Sequence, residues 1–272
     1  MRVEPCCQSL LARILPAVDE KKEGTCIDVG VGTFAFYCEL FARLGFKTVA
    51  VEPLPVKKLR QICQRDNITL IEGCLSDING NQNLHLGTFA GFGNRNFSSL
   101  SPDWFGSLQE VRQVQSMRLL NLLSMVQART VTCLKLDIEG WESAVIRQFP
   151  ELPSTLMPKI VMFEYGGGVS RQKGKGGWSA QFMKGTIECL AVLKACGYGF
   201  SIGIDLAAGT KERIFDLQSS TLEPDAIFYP NAIYGNIISF HGCHYPEDEI
   251  AKIATLYYGS WVNFLLTAIL SR

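Results

Sequence analysis

Short apolar runs alternate with stretches of helical periodicity along this chain, and that alternation limits the possible fold more than any other feature. Thr25–Val31 is an apolar run leading into glycines, Phe34–Leu44 has helical spacing, and Lys47–Glu52 is a second run ended by Pro53. Val56–Arg65 reads as a helix and Ile68–Leu75 as a third strand. Val131–Asp137 gives a fourth strand, Glu142–Phe149 a helix and Lys159–Tyr165 a fifth strand. Strands alternating with helices of about ten residues predict right-handed βαβ units and a doubly wound, mostly parallel α/β sheet. Leu108–Arg129 also has helical periodicity, and a further helix is predicted from Ser179 to Cys196. Phe200–Ile204 and Ala226–Tyr229 are expected to close the sheet, while Asn79 to Asp103, rich in Gly, Asn and Ser, reads as a long loop or irregular hairpin.

No internal repeat or linker divides the 272 residues, so one domain is expected. It comprises an N-terminal helical extension over residues 1–23, a core over 24–240 and a C-terminal helix over 246–271. The 26 Lys and Arg balance 26 Asp and Glu, which argues against a nucleic-acid partner, since gripping phosphates demands a basic excess. Ten cysteines without a Cys-x-x-Cys pair read as reduced thiols of a cytoplasmic protein, and residues 1–24 lack a secretory apolar region. Ile253 to Leu270 carries no charge and reaches the lower length limit of a membrane span. Thr255, Gly259, Asn263 and Thr267 form a polar stripe along it, so a helix packed on the domain or pairing two copies is favoured over a span.

The strongest local signal is Ile27-Asp28-Val29-Gly30-Val31-Gly32-Thr33-Phe34-Ala35. Glycines after a parallel strand let the backbone turn tightly and approach a ligand. Glu52, at the end of the next strand, is placed to accept hydrogen bonds from ribose hydroxyls. This spacing alone indicates a nucleoside-containing cofactor. Asp28 chooses among such cofactors, because a carboxylate suits a cationic ligand and sits poorly beside a pyrophosphate. S-adenosylmethionine, with an ammonium, a sulfonium and no phosphate, matches that acidic rim.

A second cluster, Leu134-Lys135-Leu136-Asp137-Ile138-Glu139-Gly140-Trp141-Glu142, ends the fourth strand and opens a helix. Alternation through 139 puts Lys135, Asp137 and Glu139 on one face, at the strand end where open α/β sheets place ligand chemistry. Glu142 falls in the first helical turn, where the helix dipole favours a carboxylate.

The motifs Asp28-Val29-Gly30-x-Gly32, Val51-Glu52-Pro53, Gly73-Cys74-Leu75-Ser76-Asp77 and Lys135-x-Asp137-x-Glu139-Gly140-x-Glu142 occur in order, with Ser98-Ser99-Leu100 between the last two. Together they resemble the FkbM-type family of S-adenosylmethionine-dependent methyltransferases over about Gly24 to Tyr165. The resemblance implies a Rossmann-like class I methyltransferase fold, with a seven-stranded sheet containing an antiparallel strand. It also implies O-methylation of a sugar, glycolipid or secondary metabolite. By it, Asp28, Gly30, Gly32, Glu52 and Ser76 would hold S-adenosyl-L-methionine, and no metal is called for. Asp137 and Glu139 would face the junction of cofactor and acceptor, and Glu164, after the fifth strand, matches a position that commonly holds an acid.

Other signals are weaker. Gly166 to Gly177 lacks the spacing of a phosphate loop and reads as a basic loop beside the active-site end of the sheet. His241-Gly242-Cys243-His244 has no second cluster to complete a metal site and reads as a surface turn. Trp104, Trp141 and Trp178 read as local core or as sugar-stacking rings. Two rival functions use the same glycine turn: an NAD(P)-dependent oxidoreductase, and a non-catalytic relative that binds cofactor. The first needs neither Asp28 nor the acids at 137–142.

Overall fold

Strands covered on both faces are apolar along their whole length. Thr25–Val29 and Val131–Leu136 are buried at every position, and Ile160–Gly166 at all but one. The computed structural model describes residues 1–89 and 92–259. Helix α1 (Val3–Val18) precedes β1 (Thr25–Val29), α2 (Phe36–Arg43), β2 (Lys47–Val51), α3 (Lys57–Arg65) and β3 (Thr69–Ile71). Four strands follow, β4 (Cys74–Leu75), β5 (Gly80–Phe89), β6 (Phe92–Gly93) and β7 (Ser107–Met117), then α4 (Leu119–Met125), β8 (Val131–Leu136), α5 (Glu142–Ile146) and β9 (Ile160–Gly166). The remainder is α6 (Ala180–Ala195), β10 (Tyr198–Asp205), β11 (Arg213–Asp216), α7 (Pro224–Ile227), β12 (Tyr234–His241) and α8 (Glu247–Thr255).

The main sheet has the order β11-β10-β12-β9-β8-β1-β2-β3. The five strands from β3 to β9 run parallel. β12 lies antiparallel between β9 and β10, the reversed strand that was expected. The sheet carries eight strands, one more than the seven expected, because β11 pairs as an antiparallel edge beside β10. Helices cover both faces. Leu134 and Leu136 pack in one apolar layer with Leu122, Val145 and Leu190 of the helices, while Cys133 packs in the other with Leu10, Phe41 and Ile250. The chain winds outward from β1 to β3 and returns to β8 on the other side of β1. The carboxyl ends of β1 and β8 therefore flank the topological switch point, where open sheets leave a crevice.

Several sequence readings change. The third strand over Ile68–Leu75 divides at Glu72-Gly73 into β3 of the main sheet and β4 of a second, four-stranded sheet ordered β4-β7-β5-β6. The predicted helix over Leu108–Arg129 is strand β7 as far as Met117 and helix α4 only from Leu119. Valines three residues apart imitated a helical stripe, but burial alternates with period two: Val114 and Ser116 are buried, Gln113 and Gln115 exposed. Antiparallel pairing with β5, along Asn81↔Gln115 and Asn83↔Gln113, overrides the local pattern. That pairing also makes Asn79 to Asp103 largely strand and 3-10 turn. Ala226–Tyr229 is no strand; Pro224 starts a helical turn there, and the closing strands are β10, β11 and β12.

Trp104 and Trp178 are buried, all ten cysteines are free thiols, and His241 to His244 ends β12 and turns at Gly242. Of the predicted helix over 246–271, the structure shows α8 as far as Thr255, and residues 260–272 lie outside the described residues, with the proposed pairing surface. No described helix is long and apolar enough to cross a membrane.

The second sheet matters because it carries a roof for the crevice. A 3-10 turn, Arg95–Phe97, folds back on β5, with Gly87 N donating to Ser98 Oγ at 3.1 Å and accepting from Asn94 N at 2.8 Å through its carbonyl. A Cβ on Gly87 would lie 2.3 Å from the Phe97 carbonyl carbon. Gly87→Ala should therefore lift this turn at an overpacking cost of about 1–3 kcal/mol, read as a fall of several degrees in the thermal midpoint. An unchanged midpoint would contradict this packing.

Candidate active site

The glycine turn is built as its sequence requires. Gly30 and Gly32 hold left-handed backbone, at φ +75° and +61°, where a side chain is disfavoured. Space forbids one as well: a Cβ on Gly30 would lie 1.7 Å from the Asp137 carbonyl oxygen. Glu52, just past β2, accepts from Gly32 N at 2.9 Å and from Leu54 N at 3.0 Å, so its carboxylate ties the first turn to the second. Burial nonetheless pushes the Glu52 carboxyl above its ordinary range, against those two donors. Asn96, from the roof, accepts from Thr33 N at 3.1 Å.

Behind the turn lies a buried cation. Lys135 Nζ stands 3.0 Å from Asp28 Oδ1 and 3.2 Å from Asp137 Oδ2, and donates to the Gly30 carbonyl at 3.2 Å. It also sits 5.2 Å from the centroid of the Tyr37 ring, on its face. Burial works against the ammonium, but Asp137 and Asp28 outweigh it and hold Lys135 above the ordinary lysine range.

Three carboxylates face this pair. One oxygen from each of Asp137, Glu139 and Glu164 lies within 4.8 Å of the others. Alternation alone does not bring Glu139 there, because β8 ends at Leu136. Glu139 takes left-handed backbone at φ +57°, a strained conformation for a residue with a side chain, and Gly140 follows at φ +86°. Two contacts hold it: Ser99 Oγ donates to its carbonyl at 2.6 Å, and Trp104 Nε1 donates to its Oε2 at 2.5 Å. Burial first, then the charge of Asp137, pushes both Glu139 and Glu164 well above the usual carboxylate range. Carboxyls this close either share protons or share a cation, and this set has the oxygen donors that a hard divalent ion prefers. Glu142 stays apart: it accepts from Ile138 N at 2.9 Å as a helix-start residue, and burial raises its pKa to about 7.

Asp28, Gly30, Gly32, Glu52, Asp137, Glu139 and Glu164 all line one cavity of about 580 Å³ at the switch point. Ser76 does not line it; its hydroxyl accepts from Trp141 Nε1 at 3.1 Å and so fixes a ring that does. The sequence reading did not assign Lys135, Asn96, Trp104 or Glu4 to the site, although each lines the cavity. Lys135 was signalled by its place on the Asp137 face. Nothing in the sequence brings Glu4, Asn96 or Trp104 there, because each arrives by tertiary packing. The glycine-rich loop contributes Gly167 and Gly168 to the wall, but Lys173 and Lys175 are not among the lining residues.

Among solved structures, the chain is similar to the methyltransferase domain of bacterial CtHen1-C, at 11% identity and a TM-score of 0.35, covering 88% of this chain and 100% of that one. No curated protein matches the sequence. The profile of the FkbM methyltransferase domain matches residues 24–200, which span the glycine turn, the roof, the acidic cluster and α6. The chain belongs to the FkbM methyltransferase family.

Proposed function

We propose that the protein transfers a methyl group from S-adenosylmethionine to a hydroxyl oxygen of a sugar, glycolipid or secondary metabolite. The observation that carries this reading is the gathering of Asp137, Glu139 and Glu164 in the same cavity as the Gly30–Gly32 turn and Glu52. The residues fit the cofactor. Gly30 and Gly32 line the cavity with backbone alone, Glu52 retains acceptor capacity for ribose hydroxyls, and six acidic side chains line the cavity against Lys135 and Arg95. Such a wall favours a cationic ligand over a pyrophosphate, which speaks against a nicotinamide cofactor.

The sulfonium supplies an activated methyl group, so the protein's task is alignment and proton removal. Alignment contributes about 7–11 kcal/mol to lowering such barriers, and a positioned base about 10²–10⁴-fold in rate. As the acceptor oxygen attacks the methyl carbon, its proton passes to a carboxylate and the C–S electron pair leaves with sulfur. Asp137 or Glu139 is the proposed base, with Glu164 the third candidate. Burial raises the Glu139 and Glu164 carboxyls, which makes each a stronger proton acceptor once ionised. Lys135 keeps Asp137 and Asp28 in register while the proton moves. The free cysteines fit a reducing, cytoplasmic setting for this reaction.

Calorimetric titration should show micromolar binding of S-adenosylmethionine and none of NADH; the reverse would overturn the cofactor assignment. For Asp137→Asn at saturating S-adenosylmethionine, S-adenosylhomocysteine release, measured with a metabolite extract of the source cells as acceptor pool, should fall by about 10²-fold or more. Undiminished release would remove Asp137 from the mechanism.

A further inference from the structure

Glu4 lies outside the matched residues 24–200, yet it lines the cavity. Helix α1 delivers it. The buried face of α1, including Cys7, Leu10 and Leu11, packs on the sheet layer that also holds Tyr37 of α2, and this seats the first helical turn beside the crevice. There Tyr37 Oη donates to Glu4 Oε2 at 2.5 Å, and Asn236 Nδ2, from β12, donates to Oε1 at 2.9 Å. Tyr37 thus contacts Glu4 through its hydroxyl and Lys135 through its ring face, and Lys135 reaches the Gly30 carbonyl. Glu4 therefore sits between the glycine turn and the acidic cluster, since Asn236 lies opposite Glu164 in the β12–β9 register.

The other acids of that wall are already engaged. Asp28 and Asp137 are paired with Lys135, and Glu52 is tied to two backbone amides. Glu139 and Glu164 share the acidic cluster with Asp137. Glu4 differs in being held by two neutral donors, which favour its ionised form while using only half of a carboxylate's roughly four acceptor positions. Burial and the Asp137 charge penalise that ionised form, so an incoming cation would relieve the penalty.

We propose that Glu4 receives the α-ammonium of the amino-acid tail of S-adenosylmethionine, an assignment that rests on the cofactor reading above. The ammonium offers three donors to the free acceptor positions of Glu4. It also adds a second positive charge beside Glu4, where the nearby cation, Lys135, is already shared by Asp28 and Asp137.

The test is calorimetric titration of the purified full chain with S-adenosylhomocysteine and with its analogue lacking the α-amino group. Wild-type protein is expected to bind the amino-bearing ligand about ten-fold more tightly or better, the usual effect of a charge-assisted hydrogen bond. Glu4→Gln, with its thermal midpoint unchanged, should bind the two ligands alike, and Glu4→Asp should recover part of the preference. Equal affinity of the wild-type protein for both ligands overturns the assignment, whether or not the Gln variant folds. A preference that survives in Glu4→Gln overturns it as well. Binding of neither ligand overturns the cofactor reading itself, and this assignment with it.

Discussion

A single buried ammonium organises this site. Lys135 links the ends of β1 and β8 by pairing Asp28 of one with Asp137 just past the other, and it satisfies the Gly30 carbonyl between them. Two carboxylates so placed would repel each other in a low-dielectric interior, and a lysine alone there would shed its proton. Together the groups are stable, and removing one member of such a buried set costs on the order of 3–5 kcal/mol. The glycine turn and the proposed proton acceptor are therefore positioned by one interaction.

Around that centre, each wall of the cavity comes from a different solution to burial. The parallel strands supply the floor because their ends meet at the switch point. The second sheet supplies the roof through Asn96 and Trp104, which reach Thr33 and Glu139. Helix α1 closes the side near the glycine turn with Glu4. The conserved logic of a βαβ sheet thus fixes where the chemistry sits, and the additions to it fix the shape and charge of the space.

Local and periodic features were legible in the sequence. Strands β1, β8 and β9 are apolar runs whose charge falls near their carboxyl ends, and β2 is apolar after Lys47, so both their existence and their functional edge could be read. The Gly30–Gly32 turn and its distance from Glu52 were equally plain. Strand β7 was misread because its valines recur at a helical interval, and only the partner strand β5 reveals that Val114 points inward while Gln113 and Gln115 face solvent. Glu139 reached the site for a reason alternation does not contain: a left-handed residue held by Ser99 and Trp104, some 40 and 35 positions earlier in the chain. Glu4 and Asn236 meet across 232 positions, a contact no spacing rule encodes.

The most direct measurement is a crystal structure of the protein with S-adenosylhomocysteine bound. This account predicts the ribose on Glu52, the amino-acid tail against the Gly30–Gly32 turn, and the sulfur facing Asp137, Glu139 and Glu164. A ligand seated elsewhere, or with its sulfur turned away from those three carboxylates, would contradict it.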